Sequence, residues 1–208
     1  GWLPIGVTGA LVLLCLWVRR HYRNVHSALR SLEEILPALP SEPAGEKPVR
    51  VDPKAPTAVM FVGGYGGLGV HALLTVQRLF PGHFKNFVFA SVGVIDAVVM
   101  KGLEEVERTR DHTEDGLKKY VQLANRLGLA AEHRMIVGTE AVEAGEELAE
   151  QIRRDFPRSV VFLGNLVFEK ERWFSRILHN DTAYRLQRRL QFAGMNAMVL
   201  PVRVRDPR

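Results

Sequence analysis

The chain has 208 residues, 47% of them hydrophobic and 25% charged, with a formal net charge of +5 and a pI near 9.6. These proportions suit a globular domain with extra segments and exclude a disordered or collagen-like polymer. Lys and Arg are dispersed apart from clusters at Arg19–Arg23 and Arg185–Arg189, so nucleic acid is not an expected partner, and the single cysteine, Cys15, rules out a disulfide framework and a thiolate metal site.

Gly1–Val18 carries no charge. Trp2–Val18 (WLPIGVTGALVLLCLWV) is apolar, with Trp2 and Trp17 near its ends. A membrane-spanning helix needs about 20 such residues and favours indoles at the interfaces, so residues 1–18 are expected to form a transmembrane helix. The basic run from Arg19 to Arg23 then marks the cytoplasmic flank and places the rest of the chain in the cytoplasm. A cleaved signal peptide fits less well, because the basic cluster follows the apolar run and no A-x-A-like site is present. A buried core helix is the other reading of this run. The chain opens on Gly1, as the end of a longer protein or a trimmed chain would.

Val25, Leu29, Leu32, Ile35 and Leu36 recur at three- and four-residue steps, which predicts an amphipathic juxtamembrane helix over residues 19–39. Pro37 and Pro40 end it. It is expected to serve as a stalk, or to pack on a partner or on its own domain. Residues 40–56, rich in Pro, Lys and Glu, read as a linker.

From Thr57 strand and helix signals alternate. Strands are expected at Thr57–Val62, Asn86–Val92, Glu132–Val137, Ser159–Leu163 and Ala197–Val204. Helices are expected at Val70–Phe80, over most of Ala97–Leu127 with room for a kink or break near Arg110–Glu114, at Ala141–Phe156, and at Asp181–Phe192. The last takes Asn180 or Asp181 as N-cap and Gly194 as C-cap. This alternation predicts an α/β fold, a five-stranded parallel sheet with helices on both faces. A flavodoxin-like order of 3-2-1-4-5 fits best. It opens a crevice at the carboxyl ends of strands one and four, the usual ligand position.

Two glycine-bearing turns are expected to meet there. One holds Gly63, Gly64, Gly66, Gly67 and Gly69, between strand one and a helix whose N-terminus favours anions. The other is Gly164–Asn165. Gly64, Gly66 and Gly69 satisfy G-x-G-x-x-G, but no acid ends strand two to hold a ribose, and Asp96 comes too late. Three readings stand: a dinucleotide, another phosphate-bearing ligand, or glycines that merely permit a tight turn and close packing. No Gly-Lys-Ser/Thr supports NTP hydrolysis. No G-x-S-x-G occurs, and the seven His show no metal-ligand spacing, His21 and His26 being five apart; no catalytic residue, metal site or enzymatic activity is expected. His71 is expected to be packed or solvated. Arg185, Arg188 and Arg189 are expected to counter the acidic helices and not to hold an anion. Trp173 and Phe174 are expected to cap the core or to dock on another protomer or the membrane domain.

The alternation over Thr57–Val204 resembles the universal stress protein domain. That resemblance implies an adenine-nucleotide-binding α/β fold that often dimerises. The family's G-x-x-G and later Gly-Ser/Thr are not reproduced: Gly164 is followed by Val167, and His179-Asn180-Asp181-Thr182 precedes the last helix. Pro201 also interrupts the last strand and points to an edge or a bulge. The stretch Gly1–Leu39 (GWLPIGVTGALVLL, then RRHYRNV) is similar to the last span and flank of permeases of the amino acid–polyamine–organocation superfamily, including their potassium-uptake branch. The two resemblances imply the C-terminal part of a permease in the cell (inner) membrane, with a regulatory or assembly domain in the cytoplasm. Its partners would be the membrane, the rest of the permease and a second copy. Its ligand would be an adenine nucleotide or a cyclic dinucleotide. The alternatives are a dimerisation domain without ligand and a Rossmann-type nucleotide-binding protein.

Overall fold

The computed structural model describes residues 4–13, 15, 16, 19, 50–95, 103–168 and 182–204. The juxtamembrane helix, most of the linker, Asp96, the Trp173–Phe174 connection and the N-cap at Asn180 or Asp181 lie outside the described residues.

The elements run β1 (Thr57–Phe61), α1 (Gly67–Leu79), β2 (Asn86–Val94), α2 (Leu103–Arg126), β3 (Ala130–Gly138), α3 (Ala141–Asp155), β4 (Ser159–Phe168), α4 (Thr182–Phe192) and β5 (Ala197–Val204). The five strands form one sheet in the order β3-β2-β1-β4-β5, every pair parallel. This is the expected class and order. The apolar strands β1, β2 and β4 sit in the middle, where helices cover both faces.

Alternation along each strand sends successive side chains to opposite faces. Ala58 and Met60 of β1, Phe87 and Phe89 of β2 and Phe162 of β4 point to one face, where they pack with Val70, Leu73 and Val76 of α1 and Leu117, Tyr120 and Leu123 of α2. Val59, Val88, Ala90, Val161 and Leu163 point to the other, against Val142, Leu148 and Ile152 of α3 and Leu186 and Leu190 of α4. Each of these large side chains, when fully buried, contributes roughly 1.5–3 kcal/mol relative to exposure.

Three local expectations change. α2 is helical throughout Leu103–Arg126, so no break falls near Arg110–Glu114. β4 runs on past Leu163 to Phe168, pairing Gly164 with Leu200 and Asn165 with Pro201. Gly164–Asn165 is therefore strand and not turn. β5, at the edge of the sheet, is where a proline inside a strand is tolerated. Finally, the end of the supposed linker is tied to the sheet. Asn86, 1% exposed, accepts from the Asp52 N–H at 3.1 Å and donates to the Asp52 carbonyl at 2.6 Å and to Thr57 Oγ1 at 2.9 Å. Gly194 closes α4 as expected. Its φ of +74° is cheap for glycine alone, and the Met195 N–H returns to the Leu190 carbonyl at 2.9 Å.

At the other end of the chain residues 4–13 are helical. Ile5, Val7, Leu11, Val12 and Leu13 are all more than half exposed, as is Leu16, while Cys15 is an exposed free thiol. Among the described residues no helix is long and apolar enough to cross a membrane. Residues 1–3, 14, 17 and 18 of the expected transmembrane span lie outside the described residues.

Candidate functional site

β1 and β4 are neighbours in register, Phe61 opposite Leu163, and their following helices lie on opposite faces. The carboxyl ends of these two strands form the switch point at which open α/β sheets take ligands. The glycine run occupies that place. Gly63 to Gly66 leave β1 as an irregular turn and Gly67 begins α1. Gly66 is the N-cap, with extended backbone and no side-chain cap bond, and the first turn of α1 holds no acid. The first amides of a helix have no partner within it and carry its positive end. The switch point is thus electropositive and free of carboxylates along α1.

Gly67 is buried at the start of α1, and the other four glycines divide by role. Gly63 and Gly64 are exposed, and a Cβ built on either meets nothing within 4 Å. Neither is required by packing. Gly69 is buried inside α1, where a Cβ would lie only 2.6 Å from Tyr120 Cζ. The absence of a side chain there makes room for the Tyr120 ring. That ring, 1% exposed, stacks on Phe89 at 5.2 Å between centroids and meets Tyr65 at 4.9 Å. Its hydroxyl accepts from the Gly66 N–H at 3.1 Å and stands 3.2 Å from both the Gly64 and the Gly66 carbonyls. Burial of this phenol pushes its pKa up to about 12. Tyr65, in the turn itself, is also raised by burial. Gly116 of α2 completes the contact, since a Cβ there would lie 3.3 Å from Tyr65 N.

The structure brings Gly164 to the same crevice but fills the space beside it. Its Cβ position is 3.5 Å from Leu68 Cδ1 and Cγ and 3.9 Å from Ala72 Cβ, so this glycine accommodates α1 on the sheet. Asn165 is partly buried, and its Nδ2 lies 3.4 Å from Tyr184 Oη of α4. Of the sequence-predicted set, then, Gly63 and Gly64 present open backbone. Gly66 and Gly69 are engaged by Tyr120, and Gly164 by Leu68. Asn165 bridges to α4.

Tyr120, Tyr65, Gly116 and Tyr184 were not among the expected site residues. The available signal was Gly69 and Gly116 standing inside helical patterns, where a glycine costs about 1 kcal/mol relative to alanine and calls for a packing reason.

Outside the crevice, Arg189 Nε pairs with Glu146 Oε2 at 2.6 Å and Arg188 lies 5.8 Å from the Phe192 ring centre. Arg189 thus links α4 to α3, while the Arg188 contact stays within α4. Arg134 pairs with Glu132 at 2.7 Å and with Asp155 at 3.5 Å, while burial raises the Glu132 carboxyl. Among the described residues no three or more His, Cys, Asp or Glu side chains are grouped to hold a metal ion.

No protein-family model matches this chain, and no curated protein does. Among solved structures it is similar to a protein from the universal stress protein family of Burkholderia pseudomallei, with a TM-score of 0.50 and 20% identity over 71% of this chain and 96% of that one. A universal stress protein in complex with cAMP is similar at a TM-score of 0.40 and 15% identity, over 69% of this chain and 95% of that one. The β1-to-β5 sheet and its helices have the fold of a universal stress protein.

Proposed function

We propose that this chain is a nucleotide-sensing domain joined to a membrane-inserted segment, the C-terminal regulatory part of a permease of the amino acid–polyamine–organocation superfamily. The observation that carries the sensing is the open backbone of Gly63 and Gly64 beside the uncapped, acid-free N-terminus of α1 at the β1/β4 switch point. An adenine nucleotide or a cyclic dinucleotide would place its phosphate there. The exposed apolar side chains of residues 4–13 support burial of that helix in lipid or against the rest of a permease. The domain lies in the cytoplasm beneath the inner membrane, works as a homodimer and catalyses no reaction. It acts only by binding its ligand unequally in two conformations of the transporter.

A second reading, a dimerisation domain without ligand, is favoured by the engagement of Gly66, Gly69 and Gly164 within the fold.

The test is a thermal-shift panel on the full chain in detergent with ATP, AMP, cyclic dinucleotides and NAD. A ligand at 100 times its dissociation constant stabilises by about 2.7 kcal/mol. Gly64→Val sets its Cβ in open space and is expected to abolish the shift. A well-folded protein that responds to none of the panel refutes the sensor and leaves the assembly domain.

A further inference from the structure

We propose that Tyr120 is the positioning residue of the glycine turn, and that the candidate site is linked to the rest of the fold through α2. The turn Gly63–Gly66 follows directly from β1, so β1 would be the expected route. The contacts run elsewhere. The Tyr120 hydroxyl takes the Gly66 N–H and faces two carbonyls at 3.2 Å, Gly64 and Gly66. A phenol has one proton, so it donates to one of these at a time while both stay within reach. Three backbone groups of the turn are therefore set by one side chain that belongs to α2.

The ring has no slack with which to follow the turn independently. Phe89 stacks on one side, Tyr65 leans on it, and the Gly69 backbone closes the third direction. Gly116, one helical turn before Tyr120, lets the α2 backbone come up against Tyr65 N. A displacement of α2 thus carries the turn with it. With the Gly66 amide turned to Tyr120, the backbone left for an incoming group is that of Gly63 and Gly64. This last consequence rests on the ligand-site reading; the positioning role does not.

The experiment is amide hydrogen exchange by NMR on the full chain in detergent, comparing wild type, Tyr120→Phe and Gly116→Ala. Phenylalanine keeps the ring contacts and removes only the hydroxyl. The Gly66 amide is expected to exchange at least tenfold faster in Tyr120→Phe, relative to Val59 and Met60 of β1 in the same sample. An unchanged Gly66 rate, or an equal acceleration of Gly66 and the β1 amides, overturns the proposal. Gly116→Ala leaves Tyr120 intact and presses on the turn from α2. It is expected to shift the Tyr65 and Gly66 resonances without shifting those of β1, and no shift there also overturns the α2 linkage. ATP added to each sample separates the two readings. Faster Gly66 exchange with no response to ATP or to the rest of the panel sinks the sensor and leaves Tyr120 in its role. A response to ATP with unchanged Gly66 exchange does the reverse.

Discussion

Gly69→Ala is the substitution in which helix propensity and packing pull in opposite directions. Alanine in a helix interior is worth about 1 kcal/mol over glycine, and Gly69 does not have a positive φ, so the local expectation is stabilisation. The new methyl group would sit 2.6 Å from Tyr120 Cζ and 2.9 Å from Cε1, well inside contact distance. Tyr120 cannot retreat, because Phe89 stacks on it. Overpacking of this kind costs roughly 1–3 kcal/mol. Displacing the hydroxyl also leaves the Gly66 N–H without its partner, at a cost of about 1–3 kcal/mol. The sum is a net loss on the order of 1–5 kcal/mol, centred near 3. Urea unfolding of the full chain in detergent, followed by circular dichroism, measures it. With a slope of about 2 kcal/mol per molar, the midpoint should fall by about 1.5 M. In a Tyr120→Ala background the same change should be neutral or stabilising, since the obstacle is gone. A midpoint that rises in the wild-type background would show that Tyr120 does not fill the space above Gly69, and the description of the turn would fail with it.

The Tyr120 phenol has its folded pKa raised to about 12 above an unfolded value near 10. Its stabilisation is therefore full below pH 10 and is lost as pH rises through 12, by about 2–3 kcal/mol in total; stability measured between pH 9 and 12 should fall more steeply in wild type than in Tyr120→Phe. Asn86→Ala removes three hydrogen bonds, one of them buried and two part-buried, and should cost about 2–4 kcal/mol in chemical unfolding, with amide exchange rising first over residues 51–56. Arg189→Ala breaks a half-exposed ion pair with Glu146 and should change stability by no more than about 1 kcal/mol, an effect that shrinks in high salt. Gly164→Ala should stay within about 1 kcal/mol of wild type, because its Cβ meets Leu68 and Ala72 at ordinary contact distances of 3.5 and 3.9 Å; a loss of several kcal/mol would contradict the packing described.

The sheet was legible because its signals are local and agree with one another. Short apolar runs bounded by turn residues marked β1, β2 and β4, and the alternation with helices left few orders to consider. β5 was found with both its boundaries despite Pro201, since an edge strand can spare one donor. Gly164 misled: a glycine after four apolar residues reads as a turn, whereas here it thins the sheet so that Leu68 can lie on it. The same ambiguity runs through the glycine turn. Sequence cannot distinguish a glycine with open space around it, such as Gly63, from one kept bare for a neighbour, such as Gly69, because the neighbour, Tyr120, lies 51 positions along the chain. Tyr120 itself sits in a strongly charged helix whose wet face dominates the pattern.

The tie between Asp52 and Asn86 has a mechanical consequence. It fastens the preceding chain at the amino end of β1, the central strand, which is bonded along Thr57–Phe61 to β2 on one side and β4 on the other. Tension arriving from the N-terminal side meets the Asn86 clamp and then pulls β1 along its own axis. Both rows of hydrogen bonds are loaded together in shear and do not peel apart one at a time. The domain is held by its central strand, so a pull from the N-terminal side is borne by the middle of the sheet while the glycine turn, at the far end of the same strand, stays unloaded until the strand itself slips.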